Sequence, residues 1–181
     1  AGCQSAAPLQ FALIGDNPYQ EYNFPKYRRM INDINRTDGI AWVVHVGDMK
    51  DGTASCDDDN LKSILEINQA FRVPFVLTPG DNDWFDCSRE AAGGYDRYER
   101  LVRLREIFYS DPVDLPLVRQ SDSPDYPDYV ENVYWVHGDV IFATVHIVGV
   151  TGQEGGIDIH NAVTEAAVAW VDSVFAKAES M

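Results

Sequence analysis

The chain has 181 residues, 45% hydrophobic and 12% aromatic, enough to build one compact domain around an apolar core and too apolar for a disordered tail. Its 29 Asp and Glu against 14 Lys and Arg leave a formal charge of −15 at pH 7, which argues against a nucleic-acid-binding surface or an anionic-lipid surface. No apolar run approaches the length of a transmembrane segment, and no repeat or long linker divides the chain.

The opening Ala1-Gly2-Cys3-Gln4-Ser5, followed by Ala6-Ala7-Pro8, reads like the end of a bacterial lipoprotein signal. The expectation is a flexible N-terminus over residues 1–8, with Cys3 as a lipid anchor on an exported, periplasmic or cell-surface protein; an incidental terminal cysteine is the alternative. An oxidising compartment would permit Cys56 and Cys87, both in polar loops, to pair as a disulfide.

Leu9 to Ile14, Ala41 to Val46 and Pro74 to Leu77 are short apolar runs, each stopped by a Gly-Asp step, and they predict three buried strands. Between them Phe24 to Arg36 and Asn60 to Phe71 carry apolar residues at helical spacing, as crossover helices would. Asp57-Asp58-Asp59 is expected to cap the second helix. Tyr95 to Tyr109 predicts a further helix, and the Pro- and Asp-rich Asp111 to Asp128 a surface loop. Glu131 to His137 and Val140 to Val148, separated by Gly138-Asp139, predict a β-hairpin; Thr164 to Ala178 predicts a final helix capped by Thr164. The pattern is that of an α/β domain with mixed sheet structure, occupying residues 9–181.

The three Gly-Asp steps place Asp16, Asp48 and Asp81 at strand ends, one βα unit apart, where open α/β sheets bind ligands. Carboxylates gathered in one crevice repel, and a divalent cation is the simplest compensation. Oxygen ligands without paired cysteines suit magnesium, manganese, iron or zinc, and two such ions would suit hydroxide attack on phosphorus. Lys50 would either meet a substrate phosphate or sit on the surface paired with Asp51. His45 is expected to be a buried, hydrogen-bonded strand residue, and His137, His146 and His160 hairpin, strand or loop residues rather than ligands.

The ordered set resembles the calcineurin-like metallophosphoesterases, whose motifs are D-x-H, G-D-x-x-D, G-N-H-D/E, a lone His and G-H-x-H. Gly47-Asp48-Met49-Lys50-Asp51 matches the second in full; Gly80-Asp81-Asn82-Asp83, followed by Trp84, aligns with the third; Asp16 keeps the first. The resemblance implies a mixed β-sheet sandwich flanked by helices, with Asp16 on one metal, Asp48 bridging, Asp81 on the second, and Asn82 at the catalytic position. It implies two metal ions in the complete site and a phosphorylated small molecule or nucleotide as substrate. Pro18 stands where the first motif has a ligating His, and Asn82 where the third has one; an amide donates a hydrogen bond but does not transfer a proton near neutral pH.

The last two motifs do not follow the final helix, so a C-terminally truncated domain is expected, with an exposed sheet edge that would favour a homo-oligomer. Two other readings stay open. One is a non-catalytic exported binding or surface protein on the same fold; the other takes the aspartates as turn residues alone.

Overall fold

The computed structural model describes residues 8–149 and 157–181, so Cys3 and the lipid-anchor expectation attached to it lie outside the described residues. β1 (Gln10–Ile14), β2 (Ile40–His45) and β3 (Phe75–Leu77) form a parallel sheet in that order. Its crossovers are α1 (Phe24–Arg36) and α2 (Asp58–Asn68). Pro25 in the first turn fits α1, where a missing N–H costs nothing. Tyr27 and Ile31, one helical turn apart, bury against Ile67 of α2, with Ile14 of β1 beside them. The Asp57 carboxylate accepts from Asn60 N and so caps α2 as expected. That helix ends at Asn68, not at Phe71, because Ala70 N and Phe71 N bond to Ile67 O and Asn68 O in a tighter turn.

The second half adds α3 (Arg97–Phe108), β4 (Val118–Arg119), β5 (Val133–His137), β6 (Val140–Ala143) and α4 (Ile157–Glu179). The strands form an antiparallel sheet, β4-β5-β6, so parallel and antiparallel pairing are segregated into two layers. Trp42, Val44 and Val76 of the first sheet meet Val133 and Trp135 of the second, with Phe142 packed against them. The Trp42 and Trp135 rings meet edge to face at 5.5 Å. On the outer face of the second sheet, Trp170 of α4 stacks on Tyr134 and donates to Thr144 O at 3.0 Å. The layers are thus helices, parallel sheet, antiparallel sheet and helix, the sandwich that the family resemblance implies.

Three local expectations change. The predicted loop over Asp111 to Asp128 contains β4, a strand of two residues that no periodicity can reveal, and its Leu115 and Leu117 pack into the sandwich core. The run Val140 to Val148 leaves the ladder after Ala143, where Thr144 Oγ1 donates to Glu131 O and His146 N donates to Asn132 Oδ1. Thr164 is no N-cap: it sits inside α4, with its hydroxyl buried and unpaired. The tight turn at Gly138-Asp139 forms as predicted, His137 pairing with Val140 and Gly138 taking φ +59°.

Cys56 and Cys87 form a disulfide with a Cα–Cα separation of 5.7 Å, both fully buried. The bond ties the segment before α2 to the segment after β3, beside the loops that carry Asp48 and Asp81. Among the described residues β1 and β6 are each paired along one edge only, and Phe11, Leu13, Val46 and Ile147 are exposed. No helix among the described residues is long and apolar enough to cross a membrane.

Candidate functional site

The three loops leaving the parallel strands are in direct contact. Asp16 N donates to Gly47 O at 3.0 Å. Gly47 takes φ +90°, and a Cβ there would lie 2.1 Å from Gly80 N, so only glycine lets these backbones approach. A Cβ on Gly80 would lie 2.1 Å from Asp48 Oδ1, which places the Asp48 carboxylate against the third loop. Asp16 (φ +53°), Tyr19 (φ +70°) and Asp48 (φ +55°) all hold left-handed backbone without being glycine. Such strain concentrates where a fold must aim side chains.

Asp48 lies at the centre of this group. Burial pushes its carboxyl up to about 7, Asp83, Asp81 and Asp16 add to the rise, and the backbone N–H of Asn82 opposes it. The Asp16 and Asp81 carboxylates accept no hydrogen bond among the described residues. The structure therefore brings Asp16, Asp48 and Asp81 into one electrostatic neighbourhood. No three His, Cys, Asp or Glu side chains among the described residues form a group that could hold a metal ion as they stand. Asn82 is only 9% exposed and bridges two loops. Its N–H donates to Asp48 Oδ1 at 3.2 Å and its Nδ2 to the Tyr19 hydroxyl at 3.4 Å.

Asp83, to which the sequence pattern attached no role, staples the loops together. Its Oδ2 accepts from Asp48 N and Gly80 N, each at 2.9 Å, and its Oδ1 from Met49 N at 2.8 Å. Burial raises its carboxyl even so. Lys50 corrects the expectation of a surface lysine: it is 1% exposed, and its Nζ donates to the backbone O of Asp51 at 3.0 Å, not to the Asp51 carboxylate. Burial lowers its affinity for a proton, while Asp83, Asp51, Asp86 and Asp48 act to keep it charged. Asp51 closes a turn, with Oδ1 accepting from Thr53 N, Thr53 Oγ1 and Ala54 N.

His45 is fully buried, as expected. Its Nε2 donates to Asn17 O at 2.7 Å while Nδ1 accepts from Gly47 N at 3.1 Å, so one imidazole fixes the first loop against the second. Burial brings its pKa down to about 4. His146 is also committed, accepting from Trp84 Nε1 at 3.0 Å and donating from Nδ1 to Glu131 Oε1 at 2.9 Å. His137 lies on the exposed hairpin, and His160 in α4 donates to Val148 O.

A cavity of about 610 Å³ opens beside the aspartates, walled by Tyr19, Tyr22, Lys50, Asp57 and Asn60 among others. Neither Asp16, Asp48 nor Asp81 lines it. Tyr19 is shared by the two, lining the cavity while its hydroxyl accepts from Asn82 Nδ2.

Comparison with curated proteins and with solved structures yields no match. The family of calcineurin-like phosphoesterases does match, over residues 9–172, a span that takes in the three Gly-Asp loops, both sheets and most of α4. Its length decides the matter: the chain belongs to the calcineurin-like phosphoesterase family.

Proposed function

We propose that the protein is a metal-dependent phosphoester hydrolase in which Asp16, Asp48 and Asp81 would hold the divalent cations. The carrying observation is the pair of carboxylates, Asp16 and Asp81, left unpartnered among the described residues beside a half-buried Asp48. Their oxygen donors are of the type a hard or borderline divalent cation takes, and binding one would draw Asp16, Asp48 and Asp81 closer together than they stand among the described residues. A cation bound there supplies Lewis acidity toward water and toward a phosphoryl oxygen. The chain's own part is orientation: Asn82 Nδ2 donates to the phosphoryl group, and His45 and Asp83 hold the three loops in register. The substrate is a phosphorylated small molecule or nucleotide.

Release of p-nitrophenol from its phosphate mono- and diesters, with manganese or zinc added, tests this reading. Asp48→Asn is expected to lower turnover at least about 100-fold and to reduce bound metal per chain. Wild-type rates in Asp48→Asn, or no metal-dependent turnover at all, would sink the reading. Such a failure would leave the non-catalytic binding protein, which Asn82 favours because its amide cannot transfer a proton.

The Cys56–Cys87 bond supports a place in an oxidising compartment, outside the cytoplasm. Thiol titration of the unfolded, unreduced protein is expected to find no more than one reactive cysteine per chain, Cys3. Reaction of Cys56 and Cys87 would remove the argument for export.

A further inference from the structure

We propose that the cavity beside Tyr19 receives the ammonium-bearing organic group of a phosphoester substrate; the inference rests on the hydrolase reading for the phosphoryl half. Tyr19, Tyr22 and Phe24, with the acidic residues Glu21, Asp57 and Asp59, are among the residues that line this space of about 610 Å³; Phe24 also packs on the core and Asp57 also caps α2. Tyr22 is 77% exposed and makes no ring–ring contact among the described residues, so its ring is open to a ligand in this space. Glu21 forms no ion pair or side-chain hydrogen bond among the described residues. The Asp57 carboxyl is held below its ordinary range by the Ser55 hydroxyl and Asn60 N–H, so it stays charged.

The opposing positive charges are already balanced. The N-terminal end of α2 carries Asp57 as its cap and Asp58 and Asp59 in its first turn, which offset the helix dipole. Lys50, the cation of the lining, has its charge compensated by Asp83, Asp51, Asp86 and Asp48. A phosphate in the cavity would meet three carboxylates, whereas an organic cation meets carboxylates and aromatic faces, both of which attract it. The Tyr19 hydroxyl, 3.4 Å from Asn82 Nδ2, joins this cavity to the place assigned to the phosphoryl group. One ligand can therefore lay its cation on the cavity and its phosphate by Asn82.

Calorimetric titration with choline, and with 3,3-dimethylbutanol as its uncharged counterpart, tests the cavity without requiring turnover. Choline is expected to bind saturably and about tenfold more tightly than the neutral alcohol, and Glu21→Gln and Tyr22→Ala each to weaken it about threefold. Both side chains are exposed, so these variants are expected to fold. In the wild type, kcat/KM for p-nitrophenylphosphorylcholine should exceed that for p-nitrophenyl ethyl phosphate, and Glu21→Gln should move the ratio toward one. Equal binding of the two alcohols, or variants that bind choline like wild type, would overturn the assignment even where p-nitrophenyl phosphate is hydrolysed. Selective, variant-sensitive choline binding with every phosphoester left intact would support the cation site and overturn only the hydrolase reading.

Discussion

Asp83→Ala is expected to destabilise the protein by about 3 kcal/mol and to abolish phosphoester turnover with it. Asp83 satisfies three backbone N–H groups, of Gly80, Asp48 and Met49, that have come together because two loops turn sharply at the same place. Deleting the carboxylate leaves those donors buried at about 1–2 kcal/mol each, while part of the cost is recovered because a buried charge is removed as well. For a chain of this size the loss corresponds to a fall in midpoint of about 10 °C. Asp83→Asn keeps one acceptor oxygen but turns an NH2 group toward an N–H, and should lose about half as much. Urea denaturation of the three proteins reads the order directly; an Asp83→Ala change below about 1 kcal/mol would show that the loops are held by other means. Turnover should follow stability here because Asp48 stands on the loop whose amides Asp83 binds.

The contrast between Asp48 and Lys50 shows which parts of this site the sequence makes legible. Asp16, Asp48 and Asp81 each follow a glycine at the end of an apolar run, so strand, turn and carboxylate are announced within ten residues. The burial of Lys50 has no such local signal: the carboxylates of Asp83 and Asp86 arrive from the third loop, more than 30 residues away in the chain. A lysine between a methionine and an aspartate reads as solvated until the tertiary structure supplies its counter-charges. The same holds for His45. Its burial follows from the strand, but its two partners, Asn17 O and Gly47 N, belong to different loops, so its positioning role becomes visible only in space. At the level of fold, helices with a clear apolar stripe could be read to within a few residues. β4 and the entry into α4 could not, since two residues make no pattern and Thr164 looks like a cap wherever it stands. Nothing in the polar run from Ser55 to Asn60 announces the cavity, whose aromatic side comes from the Tyr19 to Phe24 segment.

The second large effect lies away from the aspartates, in the buried chain Trp84–His146–Glu131–Arg105. Glu131 is wholly buried, takes two bonds from Arg105 at 2.6 and 3.0 Å, and accepts from His146 Nδ1 at 2.9 Å. Burial by itself would raise its carboxyl, but these donors outweigh it and hold the pKa down at about 2. Its folded pKa is thus below the unfolded value near 4.5, and the stabilisation is present above about pH 4.5 and is lost as pH falls through about 2. A difference of that size is worth about 3 kcal/mol. Glu131→Gln removes the charge while keeping the shape, leaves the largely buried Arg105 without its counter-ion, and is expected to cost about 3–4 kcal/mol at pH 7. The gap between wild type and variant should then close as the pH is lowered from 5 to 2, since protonated Glu131 and the amide that replaces it are electrically alike. Denaturation midpoints measured across that interval decide it: curves that stay parallel would mean that Arg105 and His146 do not bear on the Glu131 proton. Convergence would tie Trp84, the residue that follows the Asp81-Asn82-Asp83 loop, to an anchor between α3 and the antiparallel sheet, and so explain why that loop keeps its place across the sandwich.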